Sequence, residues 1–294
     1  MLLAPIRTLR FLSQHPLTRD QPLAALVRYA RWQLASRLAV GPIAVDFVDD
    51  ARLLVYPGMA GATGNVYAGL HEFEDMAFVL HALRPSDLFI DVGANIGSYS
   101  VLAAKAVGAQ VVAFEPIAST FRHLLDNLAL NVILDRVDAQ QLCVGREVGT
   151  VSMTNEQDSV NHVVSGAESS AQTTVPVTTL DVALAGRVPF MLKLDVEGYE
   201  LEALHGASQT LANSGVQCLI VEINSSAERY GQAGTNVEAL ILSLGFTRCA
   251  YSPERRQLQP NAQNQVNCLF VRDIDLVQRR VHEAPRFKVL NREL

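Results

Sequence analysis

The sequence predicts an α/β fold wound around a parallel sheet, and three observations carry that expectation. From Leu88 onward, short apolar runs alternate with amphipathic stretches at helical spacing, the strand and helix order of a doubly wound sheet. The first of those runs, Leu88–Val92, ends in a glycine turn over residues 93–97 that leads into a helix. With 49% hydrophobic and 18% charged residues over 294 positions, the chain can bury a sizeable core and is not intrinsically disordered.

Residues 21–40 carry Leu23, Leu26, Val27, Ala30, Leu34 and Leu38 at helical spacing, with Arg28, Arg31 and Arg37 around the rest. This amphipathic basic helix is expected to pack its stripe on the core; its other reading is contact with an anionic membrane surface or an acidic protein. Gly41-Pro42 stops it, and residues 43–48 with 53–56 read as a hairpin about Asp49-Asp50. Gly58, Gly61 and Gly64 mark a loop, followed by a helix over 72–83. The alternation then runs strand 88–92, helix 98–107, strand 110–114, helix 119–130 and strand 137–144. Residues 146–177, rich in Ser, Thr, Asn, Gln and Val with period-two stretches, read as β-structure inserted beside the sheet's carboxyl edge. Strand 190–194, helix 199–211, strand 218–223, helix 237–244 and strands 246–251 and 266–271 complete the pattern. The tail, 274–294, is polar and expected to be peripheral.

Charge and cysteines narrow the class. Residues 1–40 hold six arginines against Asp20 alone, a net +5, which leaves the remainder at −11 out of the total of −6. An acidic body argues against nucleic acid as the main ligand. Cys143, Cys218, Cys249 and Cys268 form no CxxC pair and no metal-site spacing with histidine, so they read as buried thiols of a reducing, cytoplasmic compartment. No apolar run reaches membrane-span length, and Pro5, Arg7 and Arg10 interrupt any signal-peptide core.

The chemistry gathers at the carboxyl ends of the strands. In residues 93–97, Gly93 permits the tight turn, Gly97 lets backbone approach a ligand, and the helix beyond offers amide donors to an anionic group. Asn95 stands where dinucleotide folds place the glycine that makes room for a pyrophosphate, so a ligand without one, such as S-adenosylmethionine, fits better. Glu115 ends strand 110–114 at 18 residues beyond Gly97, near the spacing of about 20 at which an acid reaches a ribose diol. In residues 191–200, alternation puts Lys193, Asp195 and Glu197 on one face at the switch-point crevice, and Glu222 ends the neighbouring strand in the same way. Such acids suit a general base, ligands of a hard divalent cation, or acceptors for a cofactor's ammonium group. His162 and His205 are lesser candidates for the base.

Five blocks in order, Asp91-Val92-Gly93-Ala94-Asn95-Ile96-Gly97, Phe114-Glu115-Pro116, Leu128-Ala129-Leu130-Asn131, Val177-Thr178-Thr179-Leu180-Asp181 and Lys193-Leu194-Asp195-Val196-Glu197-Gly198-Tyr199-Glu200, resemble the FkbM family of S-adenosylmethionine-dependent methyltransferases. The resemblance covers about residues 84–272. It implies a class I, Rossmann-like methyltransferase fold, with a seven-stranded sheet whose last strand is antiparallel. It also implies O-methylation of a sugar, glycan, glycolipid or natural-product hydroxyl. On that pattern Asp91, Gly93, Asn95 and Gly97 lie on the cofactor loop, Glu115 is the ribose acid, and Asp195 with Glu197 faces the acceptor, Asp195 being the expected base. A divalent metal is the less favoured reading of these acids. The expected organisation is an N-terminal helical and hairpin extension over 1–83, a methyltransferase domain over 84–273 with the insertion at 146–177, and the tail. Two other classes stay open: a dinucleotide-dependent oxidoreductase, against which Asn95 counts, and a non-catalytic binding module on the same fold.

Overall fold

The computed structural model describes residues 3–56, 58–154, 162–164, 172–223, 234–262, 264 and 267–294. Two helices come first, α1 (Leu3–Gln14) and α2 (Pro22–Leu38), the second opened by a proline at its first turn, where no amide partner is lost. The apolar stripe of α2, expected in the core, is turned outward instead; Ala25 and Trp32 are its buried residues. The hairpin forms as expected, β1 (Ile43–Asp46) against β2 (Arg52–Val55), with Asp49 at φ +52° in the turn. The expected glycine loop is a helix, α3 (Ala60–Ala68). Gly64 serves close packing there, since a Cβ would come within 2.5 Å of the His71 ring. Next follows α4 (Phe73–Ala82), most of whose residues are buried.

The main sheet begins with β3 (Leu88–Val92). A helix, α5 (Ser98–Val101), continues as a π-helical stretch over Leu102–Val107, and β4 (Gln110–Phe114), α6 (Ala118–Leu130) and β5 (Val137–Gln140) follow. Strand 137–144 was expected unbroken. It stops at Gln140 because its partner stops: Glu115 N donates to Gln140 O, and Pro116 has no amide to continue the ladder. The chain then enters a separate small sheet of β6 (Cys143–Val144), β7 (Gly149–Thr154) and β8 (Gln172–Thr178), in the order β6-β8-β7. Part of the expected insertion, 155–161 and 165–171, lies outside the described residues.

Beyond it run α7 (Leu180–Leu184), β9 (Met191–Leu194), α8 (Glu200–His205), α9 (Ser208–Ala212), β10 (Cys218–Val221) and α10 (Gly234–Ser243). The single helix expected over 199–211 breaks at Gly206, where a Cβ would collide with the Gly145 carbonyl. Asp181 rebuilds the break by accepting from the amides of Gln209 and Thr210, at 2.9 and 2.8 Å. The chain ends with β11 (Thr247–Ser252), β12 (Gln257–Pro260), β13 (Cys268–Val271), α11 (Ile274–His282), β14 (Lys288–Val289) and β15 (Arg292–Glu293).

The main sheet has the order β12-β11-β13-β10-β9-β3-β4-β5. Five strands, β10 through β5, are parallel, and β13 is antiparallel to both neighbours. This is the class I arrangement, enlarged from seven strands to eight because β12 folds back on the outer edge of β11. Alternate residues of the strands feed two cores, one behind α4 and α6 with Phe89, Val111 and Ile220, the other with Ile90, Phe114 and Leu219. The N-terminal hairpin is bound to the sheet's helices by side-chain amides. Asn131 pairs with both Arg52 N (2.9 Å) and Arg52 O (2.7 Å), while Asn127 accepts from Leu54 N (2.7 Å). The tail is not peripheral: Val277, Val281 and Val289 are fully buried, and Lys288 N donates to Asp49 Oδ1 at 2.8 Å. Val and Phe at helical and strand spacing outweigh its polar composition. All four cysteines are buried free thiols. Among the described residues no helix is long and apolar enough to cross a membrane.

Candidate functional site

The sheet reverses its winding between β3 and β9, and the loops after these two strands meet there. Gly93, at φ +78°, lies so close to the Asp195 carbonyl that a Cβ would collide with it. Asn95 takes φ +51°, a left-handed conformation asparagine tolerates, and its Oδ1 accepts from Ile96 N at 2.8 Å. One expectation for this turn needs correction. Gly97, at φ +88°, faces Leu124 of α6, 2.5 Å from the position of a Cβ, and does not line the pocket. The turn's own amides are paired within the protein: those of Gly93 and Ala94 donate to Phe114 O, Asn95 N to Glu115 Oε2, and Gly97 N to Ala94 O. From this turn Gly93, Ala94, Asn95 and Ile96 line the pocket, together with Ser98, which opens α5.

Glu115 is 6% exposed and lines the pocket. Its oxygens accept from Asn95 N (3.1 Å) and Ile117 N (2.9 Å), which fixes the carboxyl between the first two loops. Burial lifts its pKa to about 7, against the opposing effect of those two amides.

At the end of β9, Lys193 Nζ donates to Asp195 Oδ2 at 2.8 Å and lies 4.8 Å from the centre of the Tyr99 ring. Burial disfavours this ammonium, but the carboxylates of Asp195, Asp91 and Glu72 outweigh it and hold its pKa above the usual lysine value. Asp91, expected on the cofactor loop, is sealed beneath it at 1% exposure and does not line the pocket. It accepts from Ser100 Oγ at 2.7 Å, and its other oxygen has no hydrogen-bond partner among the described residues. Asp195, Glu197 and Glu222 converge, with one carboxylate oxygen from each within 4.8 Å of the others. Burial first, then Asp195 and Glu197, push the Glu222 carboxyl up to about 8. The turn that presents Asp195 and Glu197 is held from below by Glu200, whose Oε1 accepts from Val196 N and Gly198 N, both at 3.1 Å. The final acid of the 193–200 block is thus a structural clasp.

Glu115, Lys193, Asp195, Glu197 and Glu222 share one cavity of about 450 Å³, within the range of roughly 300–1,000 Å³ usual for small-molecule sites. Sequence reasoning missed the wall contributed by the N-terminal extension: Asn65, His71, Glu72 and Met76. Glu72 accepts from Tyr99 OH at 2.6 Å, which ties that wall to the Lys193 pair. Only the glycine and acid spacing was a signal in the sequence, and it says nothing about which distant segment packs over it. From the insertion, Met153 and Val163 line the cavity. The other two base candidates do not: His162 is buried but outside the lining, and His205 is exposed at the end of α8.

The sequence profile of the methyltransferase FkbM domain matches residues 91–251. The chain is similar to hexuronic acid methyltransferase AglP of Haloferax volcanii, 27% identical over 163 residues, or 53% of this chain and 64% of that protein. It is also similar to 31-O-demethyl-FK506 methyltransferase FkbM of Streptomyces tacrolimicus, 39% identical over 85 residues, or 28% and 32% of the two chains. The chain thus spans less than two thirds of the length of either relative. A solved structure of precorrin-6Y C5,15-methyltransferase from Geobacter metallireducens aligns with a TM-score of 0.43 at 12% identity, covering 74% of this chain and 93% of that one. With the profile spanning more than half of its residues, and with three of the five motif blocks, 91–97, 114–116 and 193–200, contributing to the cavity lining, the chain belongs to the FkbM methyltransferase family.

Proposed function

We propose that the protein is an S-adenosylmethionine-dependent methyltransferase that methylates a hydroxyl of a sugar, glycan, glycolipid or natural product. The observation that carries this reading is the meeting, in one cavity, of the loop after β3, Glu115 after β4 and the carboxylate rim after β9 and β10. Glu115 would accept from the ribose hydroxyls, and Ile117, Leu142 and Cys143 offer an apolar surface to a flat ring. The Oε2 of Glu222, without a hydrogen-bond partner among the described residues, is an acceptor suited to an ammonium group. When bound, the cofactor supplies an electrophilic methyl group on a good leaving group.

The chain's own work is then to hold and deprotonate the acceptor. Lys193 pins one oxygen of Asp195, so the other keeps a fixed direction in which to accept the hydroxyl proton. Such a base contributes about 10² to 10⁴ in rate, with positioning supplying the larger share. Glu197 and Glu222 are the neighbouring acceptors on the same rim. A second reading is favoured by that convergence: three carboxylate oxygens within 4.8 Å of one another are a set of hard ligands for a divalent cation. Transfer of a labelled methyl group to a panel of glycans, glycolipids and hydroxylated metabolites tests the function, and the same assay in EDTA separates the two readings.

A further inference from the structure

The helix that the sequence marks as amphipathic is mounted with its apolar side to solvent. On α2, Leu23, Leu26, Val27, Leu34 and Leu38 fall on one stripe at i, i+3, i+4 spacing, and all are exposed, Leu23 at 79% and Leu38 at 73%. Beside it α1 exposes Ile6 and Leu9. Single exposed leucines need no explanation, but a continuous stripe of them marks a docking surface.

Charge selects the partner. Arg31 and Arg37 lie within the stripe, Arg7 and Arg10 are exposed on α1, and residues 1–45 contain one acid, Asp20, which is 2.7 Å from Arg292 Nη2. A second copy would bring like charge against like charge over this face. An anionic lipid surface, by contrast, accepts guanidinium groups among its headgroups and leucines at the acyl boundary. The rest of the chain carries a net −11, so its average charge opposes approach to such a surface while that of α1 and α2 favours it. We propose that α1 and α2 form a docking face that seats the protein peripherally on anionic membranes. The face lies one helix away from the cavity: α2 packs on α3, and α3 lends Ala62 and Asn65 to the cavity wall.

The test is co-sedimentation of the full chain with vesicles of phosphatidylcholine alone or with added phosphatidylglycerol. Binding is expected to the anionic vesicles, to weaken as salt rises from 50 to 500 mM, and to be about tenfold or more weaker in Leu34→Glu/Leu38→Glu and in Arg31→Glu/Arg37→Glu. These side chains are exposed, so circular dichroism and melting temperature should not change in either variant. No sedimentation with anionic vesicles at low salt overturns the proposal. So does equal binding by the variants, or a dimer in solution that Leu34→Glu/Leu38→Glu dissociates. Because the readout is sedimentation, it stands or falls independently of methyl transfer.

Discussion

Lys193 Nζ sits 2.8 Å from Asp195 Oδ2 at 3% exposure, with the buried carboxyl of Asp91 as its second electrostatic partner. A cation in the cavity lining, with one acid beside it and another sealed beneath, makes both acids depend on it. Lys193→Met should cost about 3 to 5 kcal/mol in urea unfolding, because it leaves Asp91 buried and uncompensated. Adding Asp91→Asn should recover part of that loss. If Lys193→Met is as stable as the parent, the pair is not a structural support for the rim.

Gly97 separates backbone strain from ligand contact. A side chain at φ +88° costs about 1 to 2 kcal/mol, and a Cβ would press on Leu124, so Gly97→Ala should lower stability. Affinity of the folded protein for S-adenosylhomocysteine should hardly change, because the glycine does not line the cavity. A selective loss of affinity at unchanged stability would return Gly97 to the cofactor site.

For Asp195, the expected result of Asp195→Asn is a slowing of methyl transfer by about 10² or more with nearly unchanged cofactor affinity. Under the competing reading, the parent enzyme loses activity in EDTA and regains it with magnesium or manganese. Full activity in EDTA removes the metal, and unimpaired turnover by the variant removes Asp195 from the mechanism.

Stability should fall as pH rises across the neutral range. Burial raises the carboxyls of Asp75 and Glu115 to about 7 and of Glu222 to about 8. In the folded protein they hold protons that the unfolded chain has released. Their contribution is full below the ordinary carboxylate range and is lost as pH climbs through 7 and 8. The buried His15 and His81, lowered by desolvation to about 4 and about 3, act in the opposite sense, but that effect is complete by about pH 6.5. Urea midpoints should therefore drop between pH 6.5 and 8.5, and Glu222→Gln should drop less. A flat or rising profile in the parent contradicts the assignment.

The parallel sheet was legible because strands buried on both faces read as continuous apolar runs, and the rim acids because strand ends carry them at fixed spacings. The stripe of α2 was legible too, but its direction was not: periodicity says that a helix has two faces, not which one finds a partner. Trp32 and Ala25 won the inward side. Gly64 and Gly97 misled in the same way, since a glycine required for close packing against His71 or Leu124 looks in sequence like one required for a loop or a ligand. The tail's valines were outweighed by its polar composition, and Glu72 could not be placed in the cavity from sequence, because its partner Tyr99 is 27 residues away.

The most direct measurement is a calorimetric titration of S-adenosylhomocysteine into the parent and into Glu115→Ala. One site is expected in the parent, accompanied by a rise in melting temperature equivalent to about 2.7 kcal/mol at a hundredfold excess over the dissociation constant. Glu115→Ala should bind roughly ten- to a hundredfold more weakly, because the ribose hydroxyls would lose their acceptor and stay unpaired in a buried site, at a cost of about 1 to 3 kcal/mol. Absence of binding at millimolar ligand in the parent would contradict the account of this cavity as a methyl-donor site.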